Sequence, residues 1–447
     1  NSLMKKNIYI PIEITHRELL PRLYISYLLA KKGYRVYIGS KIGVFNFIKT
    51  KKIKEGIFFY KSAFSQEDKS KISFHNTKEI TNLIKNCEHT VVLDEEMGIG
   101  MGYEPITIEQ RITNLNYISK FFLIGKRLKE IVKKKNQKHS YKFINTGWPK
   151  YDLNKKKYRN FYNEEAKKIK KQYGDFYLFS SNFGFLNKFK LDERLAKIKN
   201  KGVKYNNLKI VYKNAYKDYL NFVNKVNNYS KNSQLKIIIR PHPSDRTMDN
   251  WYNDVRESDF IKIIYKNDII PWILASKGLI HRGCSTSIDA YMLEKEIFYL
   301  QPNRKLRNFE KNIPYKISKK INNFNDILKL RTNKNKINKK LKSFLKHNIS
   351  NLFDLASSDE IIKQLNSLKV KKIKKVKPRY LNIIKMSFFE IFRKAINIFK
   401  FQNYETNQKM PFKLSQKMIS DHIFKLFRKK NFVVKKIDFE TYEIFCE

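Results

Sequence analysis

The sequence predicts an α/β protein built from two Rossmann-like units facing each other across a cleft. Three observations carry that expectation. Short apolar runs alternate with helical patterns through the first third of the chain, which implies parallel sheets covered by helices on both faces. The alternation halts in a lysine-rich stretch after Trp148-Pro149-Lys150-Tyr151-Asp152 and then starts again. The 447 residues are 42% apolar and 14% aromatic, enough to bury two cores.

In order, residues 7–12 read as a strand. Thr15 and Glu18 then form a T-x-x-E capping box before a helix over 17–32, which Gly33 stops. Strands follow at 35–38, 56–60, 90–94, 120–124 and 142–145, with helices near 78–85, 108–116 and 126–134. This is the first expected domain, 4–155. The second, 156–368, holds a helix at 163–172, a strand at 176–180, a long helix at 208–228 and strands at 235–240 and 260–264. It continues with a helix at 269–275, a strand at 278–281, a helix at 286–294 and a strand at 297–300. The remainder, 369–447, is expected to be a basic helical extension. There Ile384, Phe388, Ile391, Ala395 and Ile398 share one helical face, with Lys385, Glu390, Arg393, Lys394 and Lys400 on the polar sides. Such a helix either lies in a membrane interface or packs on the domain that it follows.

Lysine and arginine number 93 against 41 acidic residues, a formal charge of +52. Nucleic acid, an anionic membrane or an anionic substrate would each exploit that field. A chain-wide lysine and asparagine bias explains it equally well. Specific nucleic-acid binding is not expected, because the aromatics are not concentrated in basic stretches and no helix-turn-helix or zinc finger is evident. The three cysteines, Cys87, Cys284 and Cys446, are too scattered for a disulfide framework and suggest a reducing compartment. Glu13, His16 and Arg17 interrupt the apolar start too early for a signal peptide, and no run approaches the ~20 apolar residues of a membrane span. A cytoplasmic location follows, with the inner-membrane surface as a further expectation.

Polar clusters fall at expected strand ends, where doubly wound folds place ligands. Asp94-Glu95-Glu96 leaves the fourth strand and precedes Gly98-Ile99-Gly100. Clustered carboxylates supply a general base or nucleophile, and glycines admit a ligand to the backbone; the bland alternative is a solvated acidic turn. Arg240-Pro241-His242-Pro243 holds His242 rigidly as an acid or phosphate donor, with Arg240 offering a planar fork to an anion. His281-Arg282-Gly283-Cys284-Ser285-Thr286-Ser287-Ile288-Asp289 runs from strand through a glycine turn into a helix, a phosphate-binding pattern. Alternatively, Thr286 and Asp289 simply cap that helix. Ser180-Ser181-Asn182 is a weaker polar turn, and Glu13, Arg17 and Glu18 lie at the end of the first strand. No metal constellation, Walker A loop or G-x-S-x-G elbow is present, so no cofactor or metal is expected.

Taken in order, Ile10-Pro11-Ile12-Glu13 with Arg17-Glu18-Leu19, Leu93-Asp94-Glu95-Glu96, Thr146 to Asp152, Ile239 to Pro243, Asn267 to Trp272 and His281 to Asp289 resemble the bacterial surface carbohydrate biosynthesis protein family. The resemblance extends to Gln408-Lys409-Met410-Pro411; Trp148, Lys150 and Asp289 depart from the usual residues. It implies a GT-B glycosyltransferase acting on lipopolysaccharide or capsule, similar to retaining transferases of CMP-activated 3-deoxy-octulosonic acid (Kdo). The second domain would hold a CMP-linked donor through Arg240, His242, Ser285, Thr286, Ser287 and Asp289, with Ser180, Ser181, Asn182 and His281 nearby. The first would hold the glycan or glycolipid acceptor at Glu13, Arg17, Gly98 and Gly100 and supply a carboxylate nucleophile from Asp94, Glu95 or Glu96, of which Glu95 and Glu96 reach furthest past the strand. His242 would protonate or stabilise the departing phosphate. A CDP-linked polyol-phosphate transferase and a non-catalytic nucleic-acid or membrane-binding protein are the competing readings.

Overall fold

A computed structural model describes residues 6–63, 77–99, 108–109, 111–183, 205–231, 235–242, 254–266, 268–302, 312–330, 339–353, 355–371, 378, 380–385, 387–388 and 414–446. The chain divides into two compact units, Asn1–Leu153 with Leu345–Glu447, and Asn154–Phe344. The expected boundary at 155/156 therefore falls at 153/154. The expected end of the second domain at 368 moves back to Phe344, and 369–447 is not a separate extension.

The first unit is an eight-stranded sheet. Its strands are β1 (Asn7–Ile12), β2 (Arg35–Ser40), β3 (Ile57–Tyr60), β4 (His89–Leu93), β5 (Lys120–Leu123), β6 (Phe143–Asn145), β13 (Val433–Asp438) and β14 (Thr441–Phe445), in the order β13-β14-β2-β1-β3-β4-β5-β6. The pairs from β2 to β6 are parallel. Such strands are buried on both faces, which is why they read as unbroken apolar runs; every residue of β1 and β3 is buried. Helices α1 (Thr15–Lys31), α2 (Lys41–Thr50) and α3 (Thr77–Asn86) follow β1, β2 and β3.

The C-terminal hairpin corrects the expectation of a purely helical tail. Strand β14 runs antiparallel to β2, pairing Thr441 with Gly39 and Ile444 with Val36, and β13 pairs antiparallel with β14. Gly39 is required there, because a Cβ would meet the Glu440 carbonyl oxygen at 1.9 Å. The preceding helix, Gln416–Phe427, is capped by Ser415 and packs on α1, with Phe427 stacked on Tyr24. Residues 345–368 also belong to this unit for a local reason. The buried carboxylate of Asp152 accepts the N–H groups of Ser357 and Ser358, both at 2.9 Å, and so caps the helix Ser357–Asn366 from outside.

Two local expectations also shift. The T-x-x-E box does not start α1 as expected: Ile14, not Thr15, is the N-cap and makes no side-chain cap bond, and Glu18 accepts the N–H of Glu13 at 2.8 Å. The helix expected over 108–116 does not persist among the described residues, and 112–119 are non-helical. There Asn114 sits at φ 56° and both Thr113 and Asn114 donate to the Ala63 carbonyl. Helix α2 was not expected; Ser40 starts it by accepting the Gly43 N–H.

The second unit is a six-stranded parallel sheet. It comprises β7 (Tyr177–Ser180), β8 (Ile237–Arg240), β9 (Ile261–Ile263), β10 (Gly278–His281), β11 (Glu296–Leu300) and β12 (Lys319–Ile321), in the order β12-β11-β10-β7-β8-β9. The strand that comes first in sequence, β7, lies at the centre and the order reverses between β7 and β10, as in the Rossmann arrangement. Its core joins Phe179 and Phe298 from the sheet to Phe222 and Val226 on the long helix Tyr205–Lys231, with Phe179 and Phe222 stacked at 4.6 Å. Both units are thus doubly wound α/β sheets, in agreement with the sequence.

Candidate functional site

An open α/β sheet binds ligands beyond the carboxyl ends of its strands, where the strand order reverses. In the first unit that point lies between β1 and β3. Their ends deliver Glu13 and Lys61, neighbouring β4 delivers Asp94-Glu95-Glu96, and the first turns of α1 add Arg17, Glu18 and Arg22. A cavity of about 110 Å³ opens there, lined among others by Glu13, Arg17, Glu18, Lys61, Asp94, Glu95, Glu96 and Arg111.

The lining is a chain of alternating charges. Arg111 donates to both oxygens of Asp94 and also reaches Glu96. Arg17 bridges Glu96 at 3.0 Å and Glu18 at 3.2 Å. Lys61 bridges Glu13 at 3.1 Å and Glu18 at 3.3 Å, and Lys41 stands 3.8 Å from Glu13. Beneath them Arg22 pairs with Glu95 at 3.2 Å and lies over the Phe59 ring. One oxygen of that pair, Glu95 Oε1, and one nitrogen, Arg22 Nη1, are buried without a hydrogen-bond partner.

The three adjacent carboxylates separate by depth. The side chain of Asp94 is 2% exposed, that of Glu95 8% and that of Glu96 38%. Burial pushes the Asp94 carboxyl up in spite of Arg111, and the Glu96 charge pushes in the same direction. Glu96 behaves oppositely. Burial opposes its charge, but Arg17, Arg111 and Lys61 together hold it well below the ordinary carboxylate range. Glu18 is likewise held down, by Lys61 and Arg17 against burial. Glu95 does not reach past the strand as expected; it turns inward onto Arg22. Gly98 permits the turn after this group, at φ 86° and with Ile124 too close for a Cβ. Gly100 lies outside the described residues.

In the second unit the reversal between β7 and β10 gathers the ends of β10, β7 and β8. Ser180 Oγ lies 3.6 Å from Cys284 Sγ, Asn182 donates to the Arg282 carbonyl at 2.9 Å, and the Ser181 N–H donates to the Arg240 carbonyl at 3.0 Å. His281 is fully buried. Its Nδ1 accepts the Gly283 N–H and its Nε2 bonds Ser318 Oγ at 2.8 Å; burial lowers its pKa to about 3, so the ring is neutral and supports the turn.

The capping box that is the alternative reading at Thr286 and Asp289 does not form. Ser285 is the N-cap of the helix Thr286–Met292 and makes no side-chain cap bond; Ser287 Oγ donates to the Cys284 carbonyl. Thr286 Oγ1 is buried without a partner, and Asp289 instead accepts from Asn154 at 2.7 Å. Arg240 is engaged as well: it donates to the Lys266 carbonyl and its guanidinium faces Tyr265 and Trp272. Burial lowers it to about 10 and raises its neighbour Asp268 to about 6. His242 lies two residues beyond Arg240, after Pro241, and is half-buried.

The structure thus gathers Glu13, Arg17 and Asp94 to Glu96 in one pocket of the first unit. The ends of β7, β8 and β10 in the second unit carry Ser180 to Asn182, Arg240 with His242, and His281 with the turn into Ser285 to Ser287. Reading the sequence missed Lys61, Arg111 and Arg22. Lys61 follows β3 directly, so the strand-end rule that singled out Asp94 would have found it; Arg111 has no local signal. Among the described residues no group of three or more His, Cys, Asp or Glu is arranged to hold a metal ion, and no helix is long and apolar enough to cross a membrane.

No protein-family model matches the chain, and no curated protein matches it. Solved structures do. A variant of the wall teichoic acid polymerase TagF is 12% identical, with 82% of this chain and 89% of that chain covered and a TM-score of 0.41. The Methanocaldococcus jannaschii UDP-GlcNAc 2-epimerase in complex with UDP-GlcNAc and UDP is 13% identical, with 81% and 99% covered and a TM-score of 0.47. The S. aureus MnaA–UDP structure is 10% identical, with 81% and 96% covered and a TM-score of 0.49. The α/β assignment itself rests on the strand orders of the two sheets.

Proposed function

We propose that the chain is a glycosyltransferase that moves a sugar, Kdo or a related ketose acid from a CMP-linked donor, onto a surface polysaccharide or lipopolysaccharide acceptor. One observation carries the reading. At the strand-order reversal of the first sheet, Glu96 is the exposed member of three adjacent carboxylates and is held ionised between Arg17 and Arg111. An ionised, accessible, immobilised carboxylate is what a double displacement needs as its nucleophile. Glu96 attacks the anomeric carbon as the bond to the CMP phosphate breaks; the acceptor hydroxyl, giving its proton to Glu13, then displaces Glu96 from the same carbon, so configuration is retained.

In this reading Asp94 and Arg111 fix the orientation of Glu96, and Glu13 and Glu18 accept hydrogen bonds from acceptor hydroxyls. The second unit takes the nucleotide around Ser180 to Asn182, His242 and Ser285 to Ser287, with His242 stabilising the departing phosphate. The resemblance of the sequence motifs to the surface carbohydrate family supports the donor assignment.

The test is a transfer assay across a donor panel with wild type and Glu96→Gln. Transfer from CMP-Kdo that falls by about 100-fold or more in Glu96→Gln supports the reading. Normal transfer by that variant removes Glu96 as nucleophile. Glycerol phosphate transfer from CDP-glycerol, with none from CMP-Kdo, replaces the reading by a polyol-phosphate transferase.

A further inference from the structure

The helix that follows the basic connector presents Tyr380, Leu381, Ile384 and Phe388 outward. Residues 380–385 and 387–388 are helical, and Tyr380, Leu381, Ile384 and Phe388 share a face at positions i, i+1, i+4 and i+8. Their exposures run from 54% for Ile384 to 85% for Leu381. The opposite side carries the polar attachment: Asn382 donates to the Oδ1 of buried Asp438 in β13 at 2.7 Å, and Asn382, Ile383 and Ser387 are half-buried. This inverts the usual arrangement, in which a helix turns its apolar stripe toward the core. Of the apolar face expected from the sequence, Ile384 and Phe388 are more than half exposed, and Ile391, Ala395 and Ile398 lie outside the described residues.

What covers this face is indicated by charge. From residue 369 to residue 389 the chain carries eight Lys or Arg and no Asp or Glu. A second copy of the chain would bring two such segments together and meet like charge with like. A nucleic acid would satisfy the cations but leave Leu381, Ile384 and Phe388 in water. An anionic bilayer takes both, with the apolar side chains entering the acyl boundary and the lysines resting among the headgroups.

We infer that the helical residues 380–385 and 387–388 form a docking surface for an anionic lipid bilayer, with Tyr380, Leu381, Ile384 and Phe388 as the inserting face. This does not depend on the proposed activity. Nor does it require a spanning segment: the helix lies on the surface, held to the first unit through Asn382 and Asp438.

The test is cosedimentation of the full chain with vesicles of phosphatidylglycerol and phosphatidylcholine, and with phosphatidylcholine alone, over a salt series. Wild type is expected to pellet with the anionic vesicles, less so as salt rises. A Leu381→Asp, Ile384→Asp, Phe388→Asp variant should lose at least about tenfold in partitioning with unchanged melting, because these side chains are exposed. If that variant loses its fold, Lys374→Glu, Lys375→Glu, Lys377→Glu carries the same test and should show the same loss. Absence of wild-type binding to the anionic vesicles overturns the inference. So does undiminished binding by the folded apolar-to-Asp variant, or by the charge-reversal variant when it stands in. Self-association by wild type, lost in the variant and unaccompanied by vesicle binding, would assign the face to a second copy instead.

Discussion

A single guanidinium nitrogen of Arg111 reaches both carboxylate oxygens of Asp94, at 2.9 and 2.8 Å. Asp94 is buried at the end of β4, so this arginine is what compensates a charge that water does not reach. Replacing it by Met leaves that charge uncompensated. Arg111→Met is expected to destabilise the first unit by about 3 kcal/mol at neutral pH, the low end for breaking a buried pair because Arg111 is itself partly solvated. Part of that loss should return on acidification, as Asp94 becomes protonated. Urea melts of variant and wild type at pH 7 and pH 4.5 check both parts.

The second unit contains a carboxyl with the opposite pH signature to a paired surface acid. Burial raises Asp268 to about 6 from its ordinary 3.8, against the pull of Arg240 and the Ile270 N–H and with the help of Asp289 and Glu165. A raised acid favours the protonated folded form, so its contribution is full below pH 3.8 and is lost as pH climbs to 6. Asp268→Asn keeps the N-cap acceptor and removes the titration. The variant should therefore gain on wild type by about 2 kcal/mol between pH 4 and pH 7. A constant difference between the two across that range in urea melts would contradict the assignment.

Gly39→Ala places a methyl 1.9 Å from the Glu440 carbonyl oxygen, and that oxygen belongs to the hairpin backbone. The hairpin must move away from β2. A loss on the order of 2 kcal/mol is expected, together with faster amide exchange in β14 and the Gln416–Phe427 helix but not in β8 or β10. Uniform exchange changes across both units would show that the effect is not local.

Much of the architecture was legible because buried parallel strands announce themselves as short apolar runs. Residues 7–12 and 278–281 match β1 and β10 at both ends, and the other expected strands of both units lie within two residues of where the structure has them; β12 was not expected. The hairpin was not legible: Val433 to Asp438 read Val-Val-Lys-Lys-Ile-Asp, without the alternation of a half-buried strand, and nothing local says that they join a sheet that begins at Asn7. The site was half legible. Asp94 to Glu96 and Glu13 stand at strand ends, where position alone makes them candidates. Their division into buried anchor, inward pair and exposed carboxylate depends on Arg111, Arg22 and Arg17, and only the folded strand order brings these together.

The Tyr37 hydroxyl meets Glu443 from 406 positions earlier in the chain. A ribosome adding ~5–20 residues per second needs on the order of 20–80 s to bridge that interval. Throughout it, the flank of β2 that β14 will occupy has open backbone donors and acceptors, the kind of edge that recruits foreign strands. The second unit, contiguous from Asn154 to Phe344, emerges whole within the same interval and can finish folding first. The N-terminal unit is thus the later one to close, and the nascent chain is most exposed to mispairing while its second half is still being made.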